Sequence, residues 1–144
     1  MIVLVCGGRD FKNAQAINDV LDSLRPRPSV IITGGCKTGA DYLASSWGHM
    51  TGCVVANFGA NWSRYGRAAG PMRNQAMLDV CRIDLVVAFP GSKGTEDMVR
   101  RARRAGVPIH GGVPGKVPQA TVLMQQTDLD QVPINYDWQS WEPE

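Results

Sequence analysis

The sequence holds no apolar run near the roughly 18 residues needed to cross a bilayer. Its apolar runs, among them Met1–Cys6, Val30–Ile32 and Leu85–Phe89, are no longer than the six residues of Met1–Cys6. No charged segment precedes an apolar stretch at the N-terminus, which argues against a secretion signal. There are two histidines, His49 and His110, in unrelated places, so no histidine-based metal centre is expected. The four cysteines, Cys6, Cys36, Cys53 and Cys81, form no C-x-x-C pair and are expected to be reduced thiols of a cytoplasmic protein. No G-x-S-x-G elbow is present. Gly35-Cys36-Lys37-Thr38-Gly39 is not a Walker A loop, whose lysine follows its last glycine. The turn after the first apolar run lacks G-x-G-x-x-G, which excludes the standard dinucleotide fingerprint. An excess of either charge is missing too. Fifteen Lys and Arg against 13 Asp and Glu leave +2, too little to point to a membrane or nucleic-acid partner.

What is there fits one globular domain. The chain has 144 residues, 44% hydrophobic and 19% charged, enough to bury a core without metal or disulfide. Ile2–Cys6 reads as a buried strand ending in Gly7-Gly8. The spacing of Phe11, Ala14, Ile17, Val20, Leu21 and Leu24 predicts a helix, stopped by Pro26 and Pro28. Val30–Thr33 predicts a second strand, Ala40–Thr51 a helix closed by Gly52, and Cys53–Ala56 a third strand. Asn57–Ala69 reads as irregular. Gly70-Pro71 opens a helix to about Val80, with proline at its first position. Asp84–Phe89, Thr95–Ala105 and Val107–Ile109 complete the pattern as strand, helix and strand. Strand and helix in alternation predict an α/β, Rossmann-like open sheet of mostly parallel strands with helices on both faces. After His110 the character changes. Residues 1–110 form the expected domain. Residues 111–144 are an extension, expected to add an edge strand at Ala120–Met124 and to pack its Trp138–Glu144 end on the domain or a neighbouring subunit. The aromatic end makes a homo-oligomer the expectation.

Three strands end in glycine turns that lead into helices: Gly7-Gly8-Arg9-Asp10, Gly34-Gly35 through Gly39-Ala40-Asp41, and Pro90-Gly91-Ser92-Lys93-Gly94-Thr95. A parallel sheet puts all three on one edge, where ligands bind. Glycine lets backbone N–H groups approach an anion, and a helix N-terminus favours negative charge. Valine at Gly35 or Gly91 is then expected to block a phosphate without unfolding the chain. Arg9 and Lys37 each read as a phosphate clamp or as a solvated loop residue. Asp41 reads as a ribose contact or as a complement to its helix dipole. Ser92 and Thr95 offer hydroxyls, and Thr95 reads equally as a helix cap. In Asn61-Trp62-Ser63-Arg64-Tyr65-Gly66-Arg67, Trp62 or Tyr65 reads as a base-stacking ring or as ordinary packing. Arg73, in the next helix, is placed to reach an anion. Arg100, Arg101, Arg103 and Arg104 read as a solvated helix face.

These turns, with Trp62…Tyr65-Gly66-Arg67-Ala68-Ala69-Gly70-Pro71…Arg73-Asn74…Met77 and Phe89-Pro90-Gly91…Gly94-Thr95, resemble the SLOG superfamily in its YspA-like branch, related to YpsA. The resemblance covers about residues 1–110. It implies a Rossmann-like fold with a nucleotide-derived ligand, such as an ADP-ribose derivative or a nucleoside phosphate. Gly7, Gly8, Arg9, Gly34, Gly35, Lys37, Thr38, Gly39, Asp41, Trp62, Arg73, Asn74, Gly91, Ser92, Gly94 and Thr95 are the expected contacts. Relatives include phosphoribohydrolases, single-strand DNA-binding DprA proteins and nucleotide-signal sensors; some YspA-like members are carried by phages. The phosphoribohydrolases carry P-G-G-x-G-T-x-x-E, and Met98 stands where their glutamate would be. Binding, as a sensor or sequestering protein, is therefore expected ahead of hydrolysis of a nucleoside monophosphate. The candidate catalytic residues for the latter are Glu96 or Asp97 with Arg73. No cofactor is expected. A DprA-like DNA-binding role is the third reading, and the small net charge argues against it.

Overall fold

A computed structural model describes residues 1–111 of the chain. Five parallel strands form one sheet in the order β3-β2-β1-β4-β5. They are β1 (Ile2–Cys6), β2 (Val30–Thr33), β3 (Val54–Asn57), β4 (Leu85–Ala88) and β5 (Ile109–His110). The helices are α1 (Ala14–Ser23), α2 (Gly39–Thr51), α3 (Trp62–Tyr65), α4 (Ala69–Val80) and α5 (Lys93–Arg104). The α/β, Rossmann-like architecture is as the alternation of elements implied.

Continuous apolar strands are needed because side chains alternate between two covered faces. Val3 and Val5 of β1, with Ile31, Leu85 and Val87, pack under α1 and α2 through Ile17, Val20, Leu21, Ala44 and Trp47. Ile2, Leu4 and Cys6, with Val30, Ile32 and Val86, pack on the other side against Ala76 and Met77 of α4 and Met98 and Ala102 of α5. Both faces exclude water almost completely, and each fully buried aliphatic side chain stabilises the sheet by about 1.5–3 kcal/mol.

Several boundaries differ from expectation, each for a local reason. The first helix starts at Ala14, not Phe11, because the Asn13 side chain caps it by accepting from the Ala16 N–H at 3.0 Å. Phe11 instead meets Phe89 with ring centroids 5.2 Å apart. The stretch read as irregular contains α3, capped by Asn61, and a 3₁₀ turn at Gly66–Ala68 that runs directly into α4. Pro71 therefore occupies the third helical position rather than the first. It is tolerated there because the first-turn N–H groups have no intrahelical acceptor. The last helix starts at Lys93 with Ser92 as its N-cap residue, so Thr95 does not cap it. Arg101 is not part of a solvated face. It donates to Asp97 at 2.8 Å and to Gln75 at 3.1 Å, tying α5 to α4.

No helix among the described residues is long and apolar enough to cross a membrane. The expected strand at Ala120–Met124 and the Trp138–Glu144 packing lie outside the described residues.

Candidate functional site

From β1 the chain builds outward through β2 and β3, then returns to place β4 on the other side of β1. Such a reversal leaves a crevice outside the carboxyl ends of the two strands. Here it is a cleft of about 1100 Å³. The turns after β1, β2 and β4 line it, together with the start of α4. Of the residues expected at a ligand, Gly7, Gly8, Arg9, Gly34, Gly35, Thr38, Asp41, Trp62, Arg73, Asn74, Gly91, Ser92, Gly94 and Thr95 line the cleft. Lys37 and Gly39 do not: Lys37 is exposed outside the lining, and Gly39 is buried beneath the first turn. Glu96 also faces solvent outside the lining. The lining adds Asp10, Cys36, Gly59, Arg67 and Lys93, which the turn argument did not single out. Arg67 was signalled only by its place in the basic, aromatic stretch.

In the first two glycine turns, several N–H groups are spent on the protein. Gly8 donates to the Pro90 carbonyl at 2.8 Å, and Gly35 donates to Thr33 Oγ1 at 3.0 Å. Cys36 donates to Asp41 Oδ2 at 3.2 Å. A β-carbon on Gly91 would lie 2.8 Å from the Gly8 nitrogen and against Thr95 Oγ1. Gly35 sits at φ +72°, in the left-handed region. Valine at either position would therefore strain the fold itself, contrary to the expectation that it only blocks a ligand. The third turn is different. A β-carbon on Gly94 would meet nothing within 4 Å. Ser92 makes no side-chain cap bond, and Ser92, Lys93, Gly94 and Thr95 at the start of α5, where the first N–H groups have no intrahelical acceptor, line the cleft.

Arg73 and Asp41 organise the opposite wall. Arg73 Nη1 donates to the Gly34 carbonyl at 2.6 Å and the Phe58 carbonyl at 3.2 Å, and its Nε donates to Asn74 Oδ1 at 3.1 Å. Among the described residues nothing bonds its Nη2. Asn74 in turn donates to the Gly94 carbonyl at 3.2 Å and to Asp97 Oδ2 at 3.0 Å, so its amide is used in holding α4 to α5. Burial pushes the Asp41 carboxyl above its usual range, despite the Cys36 N–H, the Arg73 charge, the Gly34 N–H and Arg9 pulling it down. Burial also pushes up Asp97, but hydrogen bonds from Arg101, Asn74 and Arg100 and the Arg101 charge outweigh it and hold it low. Cys6, at the end of β1, is unsuited to be a nucleophile: burial and then the Asp41 charge push its thiol up to about 12.

Residues 1–65 match the model of the YAcAr family, the YspA, cpYpsA-related SLOG family. The match places this part of the chain in the YspA-like branch of the SLOG superfamily. No curated protein matches it. SLOG membership implies nucleotide-related binding or processing. The matched segment of this SLOG chain supplies the first two glycine turns and Trp62. Arg73, Asn74 and the third turn follow it and close the same cleft. Met98, in the stretch compared above with the phosphoribohydrolase motif, is 1% exposed and packed in the core beside the cleft.

The raised Asp41 carboxyl has a consequence for stability. A folded-state pKa above the unfolded value means that the folded chain binds the proton more tightly. Stability then falls as pH rises from the unfolded value, about 4, through the raised one. The shift already includes the pull of Arg73. Asp41→Asn is therefore expected to need more urea than the parent to unfold at neutral pH, and the gap should close towards pH 4. A variant that is less stable at neutral pH would show that the Asp41 charge supports the fold.

Proposed function

We propose that this SLOG protein binds a nucleotide or nucleotide-derived ligand in the cleft, as a sensor or sequestering protein, without cleaving it. The observation that carries the reading is the third turn: open space at Gly94, an uncapped Ser92 hydroxyl and the start of α5 face the cleft. Arg9 and Arg73 stand on its other walls. A helix N-terminus with donors and cations around it suits a phosphate. Isothermal titration with AMP and ADP-ribose tests it. Saturable binding of at least one is expected, and no heat with either at millimolar ligand would sink the reading.

N-glycosidic cleavage builds positive charge on the ribose ring, and a fixed carboxylate is the usual stabiliser. Losing one such preorganised group costs on the order of a hundredfold in rate or more. Met98 cannot supply the charge. Glu96 lies outside the cleft lining, and Asp97 is held by Arg100 and Arg101 at 2.8 Å each. Asp41 is bonded to the Cys36 N–H. Chromatography of the protein incubated with AMP is expected to show no enzymatic release of adenine. Release at several turnovers per minute, lost in Asp41→Asn or Glu96→Gln, would make the protein an N-glycosidase instead.

A further inference from the structure

The cleft contains one large aromatic ring that the fold leaves half uncovered. Trp62 is 48% exposed, an unusual state for so large an apolar side chain. One edge of it is nevertheless seated against α4. A β-carbon on Gly70 would lie 3.1 Å from Cη2 and 3.8 Å from Cζ2 and Cζ3, so the outer edge of the ring rests where α4 has no side chain. Over the ring stands the Arg9 guanidinium, with its carbon 5.7 Å from the centroid. Arg9 belongs to the turn after β1 and Trp62 to α3, and both line the cleft. Tyr65, the other ring of this segment, is excluded on three counts. It does not line the cleft, the Arg64 guanidinium stands 4.9 Å from its centroid, and its hydroxyl is buried.

We infer that Trp62 is the base platform of the site: a purine ring stacks on the Trp62 face that Arg9 covers, and Arg9 moves off to pair with a phosphate of the same ligand. The inference rests on the nucleotide-binding reading above and narrows it to ligands that carry a base. A purine offers the same kind of contact as the guanidinium, a flat surface on a π-face, with a larger apolar area. The displaced arginine loses only an exposed cation–π contact and gains a charge-assisted bond. The ring needs no rearrangement, because Gly70 already holds its edge.

The test uses the full chain and two ligands, AMP and ribose 5-phosphate, titrated into the parent, Trp62→Ala and Trp62→Phe. The parent is expected to bind AMP on the order of tenfold or more tighter than ribose 5-phosphate, the usual worth of one stacked base. Trp62→Ala should bring AMP down to the level of ribose 5-phosphate and leave ribose 5-phosphate unchanged. Trp62→Phe, which keeps an aromatic face, should retain most of the preference. If Trp62→Ala binds AMP as tightly as the parent, or weakens both ligands equally, the platform is elsewhere or Trp62 is only structural. If the parent binds neither ligand, the nucleotide reading itself fails along with the platform. Circular dichroism of both variants keeps a folding defect apart from a binding one.

Discussion

Gly39→Val is expected to leave no cooperatively folded protein. Gly39 opens α2 at φ +75°, in the left-handed region, where an L side chain costs roughly 1–2 kcal/mol. Space is the larger problem. A β-carbon there would lie 2.6 Å from the Arg9 Cα and 2.7 Å from its carbonyl carbon, and closer still to the Gly8 carbonyl oxygen. All three are backbone atoms of the first turn, and that turn cannot retreat. Gly8 accepts from the Ala40 N–H at 3.2 Å and donates to Pro90 at 2.8 Å, which binds it to α2 on one side and to the third turn on the other. Strain and overlap together exceed about 4 kcal/mol, close to the lower end of what holds a domain together. Gly39→Ala carries the same β-carbon and should fail almost as badly. Gly94→Ala is the contrast: in a helix with nothing within 4 Å, it should stabilise by about 0.5–1 kcal/mol. Urea unfolding followed by circular dichroism separates the cases. A Gly39→Ala variant with a midpoint near the parent's would show that the first turn can yield.

That contrast separates the features of the fold that are legible in the sequence from those that are not. The parallel sheet and its two covered faces were legible because Ile2–Cys6, Val30–Ile32 and Leu85–Ala88 are apolar throughout, which only a sheet covered on both faces requires. The edge carrying the site followed from parallel strands. The job of each glycine was not legible, because sequence does not say which surface a missing side chain admits. Gly39 and Gly91 admit other turns of the same chain, and Gly94 is open. Asn74 and Arg73 looked alike as polar neighbours in a first helical turn. Only the packing of α4 on α5 uses Asn74 for Asp97 and leaves part of Arg73 at the cleft. The net charge also misled by averaging. Residues 1–111 hold 14 of the 15 Lys and Arg but 8 of the 13 Asp and Glu. The part that carries the cleft is therefore more basic than +2 suggests, in keeping with an anionic ligand.

Arg73→Ala is expected to lose both stability and ligand binding, and the two losses can be separated. Its guanidinium joins the turn after β2, the segment after β3 and α4, through Gly34, Phe58 and Asn74. Burial pulls the Arg73 pKa below its ordinary value, with Asp41 opposing that pull, yet a guanidinium stays charged at any working pH. Removing it takes a donor from each of the Gly34 and Phe58 carbonyls and leaves the Asp41 carboxylate with only the weaker pull of Arg9. For a half-buried group this costs on the order of 2–3 kcal/mol. Arg73→Lys should recover little, since an ammonium on a flexible stem cannot reproduce the planar fork that spans Gly34, Phe58 and Asn74. Coupling to Asp41 supplies the internal check. If part of the loss is an uncompensated carboxylate, adding Asp41→Asn to Arg73→Ala should return about 0.5 kcal/mol or more beyond what Asp41→Asn gives the parent. AMP affinity should not return with it, because the donors that face the cleft are still missing. Recovery of binding together with stability in the double variant would mean that Arg73 only shapes the loops, and that the phosphate is held by Ser92, Gly94 and the start of α5 alone.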